Sequence, residues 1–153
     1  MRIGEICTRE VVHCDRQAGV GEIARLMRNH HVGDLIVADR FAGGLKPVGV
    51  VTDRDLVVKV LAEGVAPDAL VAGDLMTREV VTLAETAEVH EAISRMRAEG
   101  IRRLPVVDAA GALVGVLTAD DVAGLLAEQL TDLARIAPRQ AAMERATAPR
   151  VAD

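Results

Sequence analysis

Short apolar runs and helical apolar stripes alternate along the chain, and the same order of the two occurs twice. The first unit opens on a β-branched run, Val11-Val12. Val20, Ile23, Ala24, Leu26 and Met27 follow at the spacing of one helix face, which predicts an amphipathic helix. Leu35-Ile36-Val37-Ala38 and Val48-Gly49-Val50-Val51 read as short buried strands, and a second helix is expected from Asp53 to about Ala62. The second unit repeats each step: Val80-Val81-Thr82, then Val89, Ala92, Ile93 and Met96 on a helix face. Leu104-Pro105-Val106-Val107 and Leu113-Val114-Gly115-Val116-Leu117 are its strands, and a helix from Ala119 to about Leu133 closes it. The middle strands are expected to end at Asp39 and Asp108, each followed by turn residues. Pro105 inside a strand pattern points to an edge or first-residue position, because proline has no ladder donor.

The duplication extends to identity. Thr8-Arg9-Glu10-Val11-Val12 returns unchanged as Thr77-Arg78-Glu79-Val80-Val81, and Gly49-Val50-Val51-Thr52-Asp53-Arg54-Asp55 returns as Gly115-Val116-Leu117-Thr118-Ala119-Asp120-Asp121. A constant offset aligns the halves from Gly4/Gly73 to Asp39/Asp108, after which the first half carries three extra residues within 40–47, expected to be a surface loop. The fold expected is α/β (α+β), two tandem β-α-β-β-α repeats packed about a pseudo-twofold axis. The boundaries read as 2–63 for the first repeat, 64–71 for a linker interrupted by Pro67, and 72–130 for the second repeat. Residues 131–153 read as a C-terminal helical extension and tail, with Pro138 kinking or ending the long helix and disorder from Ala146 on.

Composition narrows the function. Half of the 153 residues are hydrophobic, enough for a core without staples, but only one is aromatic and the net charge is −5. A chain with neither stacking platform nor broad basic surface is not expected to bind nucleic acid. Cys7 and Cys14 match no common zinc or redox spacing and read as reduced thiols. No apolar run approaches the ~20 residues of a membrane span, and no signal-peptide layout opens the chain, so a cytoplasmic protein without membrane contact is expected.

The chemistry lies in the repeated Gly-h-h-Thr-x-x-Asp, where h is apolar. Gly49 and Gly115 allow another group to approach the strand backbone closely. Thr52 and Thr118 stand at a strand-to-helix junction, beside the free N–H groups that favour phosphate. Asp55 and Asp121 lie one turn on, where a carboxylate can accept hydrogen bonds from adjacent hydroxyls, as on a ribose. A capping box has the same spacing but prefers Glu, whose reach is longer. No nucleophile–base pair and no phosphate-binding loop with its lysine is present, and Cys7 is the one plausible nucleophile, so no catalysis and no catalytic cofactor is expected.

These motifs, with Met76-Thr77-Arg78-Glu79-Val80-Val81-Thr82 and Ile101-Arg102-Arg103-Leu104-Pro105-Val106-Val107-Asp108, resemble a tandem pair of cystathionine β-synthase (CBS) domains, a Bateman module, here in stand-alone form. The resemblance covers roughly residues 2–130. It implies a regulatory module with two clefts between the repeats for adenosyl ligands (AMP, ADP, ATP or S-adenosylmethionine), a homodimer, and a regulated protein that the sequence does not name. It also implies a threonine near phosphate or ribose, an aspartate on the ribose, a base between apolar residues, and a basic residue from the other repeat on the phosphate. Carried over, one cleft would combine Thr52, Asp55, Met76, Val80, Val81, Arg102, Arg103 and Pro105. The other would combine Thr118, Asp121, Cys7, Val11 and Val12, with Gly33 and Asp34 at the places of the two arginines. Two guanidiniums favour the first cleft for a phosphate. Asp34 would repel a phosphate by about 4 kcal/mol at ~4 Å and an effective dielectric of about 20. The second cleft is therefore expected to be empty, weak or used by an uncharged nucleoside-like group. The alternative is a structural dimerisation module with vestigial clefts.

Overall fold

A computed structural model describes residues 1–147. Two three-stranded sheets of the same topology carry the chain, each with a central strand flanked by one parallel and one antiparallel neighbour. The first is built from β1 (His13–Cys14), β2 (Asp34–Phe41) and β3 (Gly44–Thr52), with α2 (Val20–His30) between β1 and β2. The second repeats it with β4 (Leu83–Ala84), α5 (Val89–Glu99), β5 (Arg103–Val107) and β6 (Leu113–Thr118). α2 buries Val20, Ile23 and Met27 against Leu35, Val37 and Val51 of its sheet, which is what the apolar stripe requires. Its last turn closes on a left-handed residue, His31, whose N–H bonds Met27 O; Gly100 closes α5 on Met96 O in the same way.

The repeats exchange their leading helices. α1 (Ile3–Ile6) packs into the second core, where Ile3 is fully buried beside Leu83, Ala92 and Leu104. α4 (Ala72–Leu75), preceded by a 3₁₀ turn at Pro67–Ala69, packs into the first core with Leu75 and Met76. Backbone bonds fix both exchanges: Ile3 N donates to Ala87 O, and Ala72 N to Ala18 O. The Thr-Arg-Glu-Val-Val segments then cross to the opposite sheet, Thr8 pairing with Val116 and Thr77 with Val50. α3 (Asp53–Asp55) runs into a π-helical stretch (Leu56–Leu61), whereas its counterpart α6 (Ala119–Ala134) is a regular helix.

Several expectations need correction. The opening strands begin after Val11-Val12 and Val80-Val81-Thr82, at His13 and Leu83, because the ladders to the central strands start there. β2 does not end at Asp39: the extra residues lengthen the β2–β3 hairpin to Phe41↔Gly44 instead of forming a loop, and Asp39 pairs with Arg16 at 2.9 Å. Asp108 does make the turn, accepting from Ala110 N and Ala112 N. Pro105 is neither at an edge nor first; it is the third residue of the central strand. It is tolerated because β4 pairs only with Val106 and Val107, so no partner strand meets the Pro105 nitrogen. Beyond α6, the break falls at Arg135, and Pro138 sits in the first turn of α7 (Ile136–Thr147), where its missing N–H costs nothing. Helix continues through Ala146 and Thr147, and the rest of the expected disordered tail lies outside the described residues. Among the described residues no helix is long and apolar enough to cross a membrane.

Candidate functional site

The strand-to-helix junctions of both repeats meet at the pseudo-twofold and leave a cavity on each side. In the ladders Asp34 stands opposite Thr52 and Arg103 opposite Thr118, so each junction carries one charged neighbour from the adjacent strand. The larger cavity, about 330 Å³, has apolar walls from Ile36, Val50, Val80, Val81, Ile101 and Pro105. Thr52, Thr77, Glu79, Asp34, Arg102 and Arg103 supply its polar lining. The smaller, about 180 Å³, is lined by Val11, Val12, Val32, Ile36 and Val116, with Thr8, Glu10, Asp34, Arg103, Thr118 and Asp121. Binding pockets for small molecules typically hold roughly 300–1,000 Å³, a range the larger cavity enters and the smaller does not.

Both motif threonines close a capping box. Asp55 N donates to Thr52 Oγ1 at 3.1 Å while Asp55 Oδ2 accepts from Thr52 N at 2.8 Å, and Thr118 with Asp121 does the same at 3.1 and 2.9 Å. The reach expected to be poor for an aspartate is thus made, and the hydroxyl hydrogen helps: Thr52 Oγ1 donates to Asp55 Oδ2 at 2.9 Å and Thr118 Oγ1 to Asp121 Oδ2 at 2.7 Å. In each pair Oδ2 is saturated and Oδ1 is the oxygen left to face anything else. The repeats differ there. Lys59 Nζ reaches Asp55 Oδ1 at 2.8 Å and also donates to Leu75 O at 2.7 Å. Burial alone would raise the Asp55 pKa, but the hydrogen bonds from Lys59 and Thr52 outweigh it and hold the carboxyl below its ordinary value. Leu125 occupies the place of Lys59 in the second repeat, so Asp121 has no such cation.

The sequence-predicted residues divide accordingly. Thr52, Val80, Val81, Arg102, Arg103 and Pro105 line the larger cavity, whereas Asp55 lies behind Thr52 and Met76 is buried. Val11, Val12, Asp34, Thr118 and Asp121 line the smaller one, whereas Cys7 is buried and Gly33 packs against Asp53. Met76 and Cys7 serve the glycines instead. A Cβ on Gly49 would collide with Met76 Sδ and stand 2.8 Å from Thr77 O; one on Gly115 would stand 2.6 Å from Cys7 Sγ. The close approach that the glycines permit is therefore made by the chain itself. Thr77, Glu79, Thr8 and Glu10 were missed as lining residues, although the repeated Thr-Arg-Glu-Val-Val carried the signal. Ile36, Val32, Val50, Val116 and Ile101 gave none beyond apolarity.

The assignment of Arg103 to one cleft and Asp34 to the other also needs correction. Both residues line both cavities, and Arg103 Nη1 meets Asp34 Oδ1 at 2.7 Å. Burial, with the Asp53 charge adding to it, pushes the Asp34 pKa up against the opposing pull of Arg103. Among the described residues Arg102 is paired only with Asp120, at 2.8 Å, and both side chains are largely in solvent. Such a pair is weak and readily exchanged. Two arginines face two carboxylates (Asp34 and Glu79) in the larger cavity; one arginine faces three (Glu10, Asp34 and Asp121) in the smaller.

Two duplicated β-α-β-β-α units with clefts at their pseudo-twofold define a tandem-repeat α+β module. The CBS domain model matches residues 3–62 and 72–128, and the chain belongs to the CBS domain family. The Methanopyrus kandleri protein MK0525 is 39% identical over 120 residues, covering 78% of this chain and 60% of that protein, so this chain spans less than two thirds of that relative's length. The CBS domain protein PAE2072 from Pyrobaculum aerophilum, complexed with AMP, superposes with a TM-score of 0.69 at 30% identity, covering 79% of this chain and 89% of that one. The CBS domain pair of protein MJ0100, in complex with 5'-methylthioadenosine and S-adenosyl-L-methionine, gives a TM-score of 0.71 at 25% identity, covering 84% and 98%.

Proposed function

We propose that this chain is a non-catalytic regulatory module that takes a phosphorylated adenosine (AMP, ADP or ATP) in the larger cleft and passes its occupancy to a partner protein. One observation carries the reading: an apolar-walled cavity of ligand size with Thr52 and two guanidiniums among its polar groups. Arg102 and Arg103 supply planar donor forks for phosphate oxygens, and Arg102 leaves only a solvent-screened pair to do so. The base fits between Val80, Val81, Ile36 and Pro105. Ile36 N donates to Val12 O at 3.4 Å in the first repeat; Pro105 has no N–H for the equivalent Val81 carbonyl, which leaves an acceptor for the exocyclic amine of adenine. Asp55 stands outside the cavity lining, and its Oδ1 would reach a ribose only by giving up Lys59. The likeness to an AMP-bound CBS protein supports the nucleotide; the likeness to an S-adenosyl-L-methionine complex keeps a sulfonium ligand among the candidates.

The smaller cleft, with its excess of carboxylates, suits an uncharged or cationic adenosyl group. Self-association belongs to the same reading. Leu126, Leu130 and Leu133 form a largely exposed stripe along α6, and Val57, Val58 and Leu61 expose a second apolar face after α3. Paired helices from two copies would cover both. Reduced thiols at Cys7 and Cys14 fit a cytoplasmic setting. Thermal melting against AMP, ADP, ATP, adenosine, S-adenosylmethionine and GMP tests the reading. Ligand at about 100 times its Kd should stabilise the fold by about 2.7 kcal/mol. No shift with any adenosyl compound would leave a structural dimerisation module with vestigial clefts.

A further inference from the structure

Asp34 and Arg103 are the two charged residues common to the linings of both cavities. Their ion pair spans the pseudo-twofold at 2.7 Å, and the Asp34 side chain is only 13% exposed. A half-buried carboxylate of this kind depends on its cation, because stripping the partner leaves a charge that water solvates poorly. Arg102 lines only the larger cavity and pairs with Asp120 outside both, so it does not stand in for Arg103 between them. Arg103 has Asp34 as its one ion-pair partner among the described residues.

We infer that the two clefts share the Arg103 guanidinium, and that Asp34 is the specificity-determining residue that sets which cleft accepts a phosphate. The inference rests on the reading that the larger cleft takes a phosphorylated adenosine. An anion in the larger cleft draws Arg103 toward itself and weakens its hold on Asp34. The smaller cleft then presents Asp34, Glu10 and Asp121 without their cation, and a second anion is disfavoured there. The converse holds by linkage: an anion that takes Arg103 from the smaller side weakens phosphate binding in the larger one by the same factor. Two phosphorylated ligands therefore antagonise each other, while a neutral or cationic adenosyl group in the smaller cleft is compatible with a nucleotide in the larger. The two cavities become a device that reads a combination of ligands, not one ligand twice.

A double-mutant cycle read by titration calorimetry with AMP tests the shared guanidinium. Wild type should bind one AMP per chain, with any second event at least about tenfold weaker, within the usual range of coupling. Asp34→Asn frees Arg103 and should tighten the first event about five- to tenfold and bring the second closer to it. In the Arg103→Met background only the direct repulsion by Asp34 is left to relieve, so the same Asp34→Asn change should tighten the first event clearly less than it does in wild type. Asp34→Ser repeats the cycle, with melting curves to confirm folding of each variant. An Asp34→Asn gain of equal size in both backgrounds would mean simple charge removal and would overturn the sharing. Two equal, independent AMP sites in wild type would overturn it as well. Absence of any AMP binding in wild type would instead sink the underlying functional reading, and the inference with it.

Discussion

Gly49 and Gly115 let the crossing segments lie close against the third strand of the opposite sheet. A methyl group on Gly49 meets the backbone oxygen of Thr77 as well as a sulfur, so a side-chain shift alone cannot accommodate it. Gly49→Ala should therefore cost about 1–3 kcal/mol in denaturant unfolding, the usual penalty of overpacking. Removing the sulfur in a Gly49→Ala/Met76→Ala double variant should not restore stability, because Thr77 O remains. Cys14 offers a second test at this scale. Burial, then the charges of Glu22 and Asp15, push its thiol up to about 11. Native protein should be alkylated at Cys14 far more slowly at pH 8 than unfolded protein, as followed by mass spectrometry with iodoacetamide. The motif residues were legible in sequence because the chain repeats them, yet what they touch was not. Nothing in Gly-h-h-Thr-x-x-Asp says that a methionine or cysteine of the other repeat fills the space over the glycine. Nor can Arg103 be placed beside Asp34 without knowing that the two central strands start at the same axis.

At the scale of elements, the exchanged helices tie the halves together. Ile3→Ala opens a void in the core of the second repeat, not the first, and should cost about 2–5 kcal/mol. Amide exchange should then rise around β5 and β6 before it rises in β2. The caps give a pH signature. Asp55 sits below its ordinary value in the folded chain, so its contribution is fully present above the unfolded carboxylate pKa and is lost as pH falls through the lower native value. Asp55→Asn should cost about 1 kcal/mol near neutrality, typical of a lost cap, and its melting curve should converge with wild type in acid. Asp34 works in the opposite sense: its raised pKa means stability is lost as pH rises through the native value. The helices α2 and α5 and the paired strands were legible from periodicity, which tertiary packing here reinforces. The two-residue strands and four-residue helices were not, since so few residues show no period. The long β2–β3 hairpin was hidden because Gly43, Gly44 and Pro47 read as loop residues, although Pro47 sits within a strand paired with Ala38.

In the whole molecule, a duplicated backbone supports two unequal clefts. Inequality comes from few positions: Arg102-Arg103 against Gly33-Asp34, Lys59 against Leu125, and Pro105 against Ile36. The same backbone leaves Leu126, Leu130 and Leu133 exposed on α6. Leu126→Glu/Leu130→Glu should shift the protein toward monomer in sedimentation velocity while the far-ultraviolet spectrum stays unchanged. An unaltered sedimentation coefficient would remove this face from any assembly. The basic end of the larger cleft distinguishes the two sites most sharply. Calorimetric titration with AMP of wild type, Arg102→Ala/Arg103→Ala and Asp121→Ala addresses it directly. Loss of two charge-assisted contacts predicts weakening on the order of 100-fold or more in the double-arginine variant. Unchanged affinity there would contradict the account, because Arg103 lines both cavities and no phosphate would then rest on it; loss of AMP binding in Asp121→Ala would place the nucleotide in the smaller cleft.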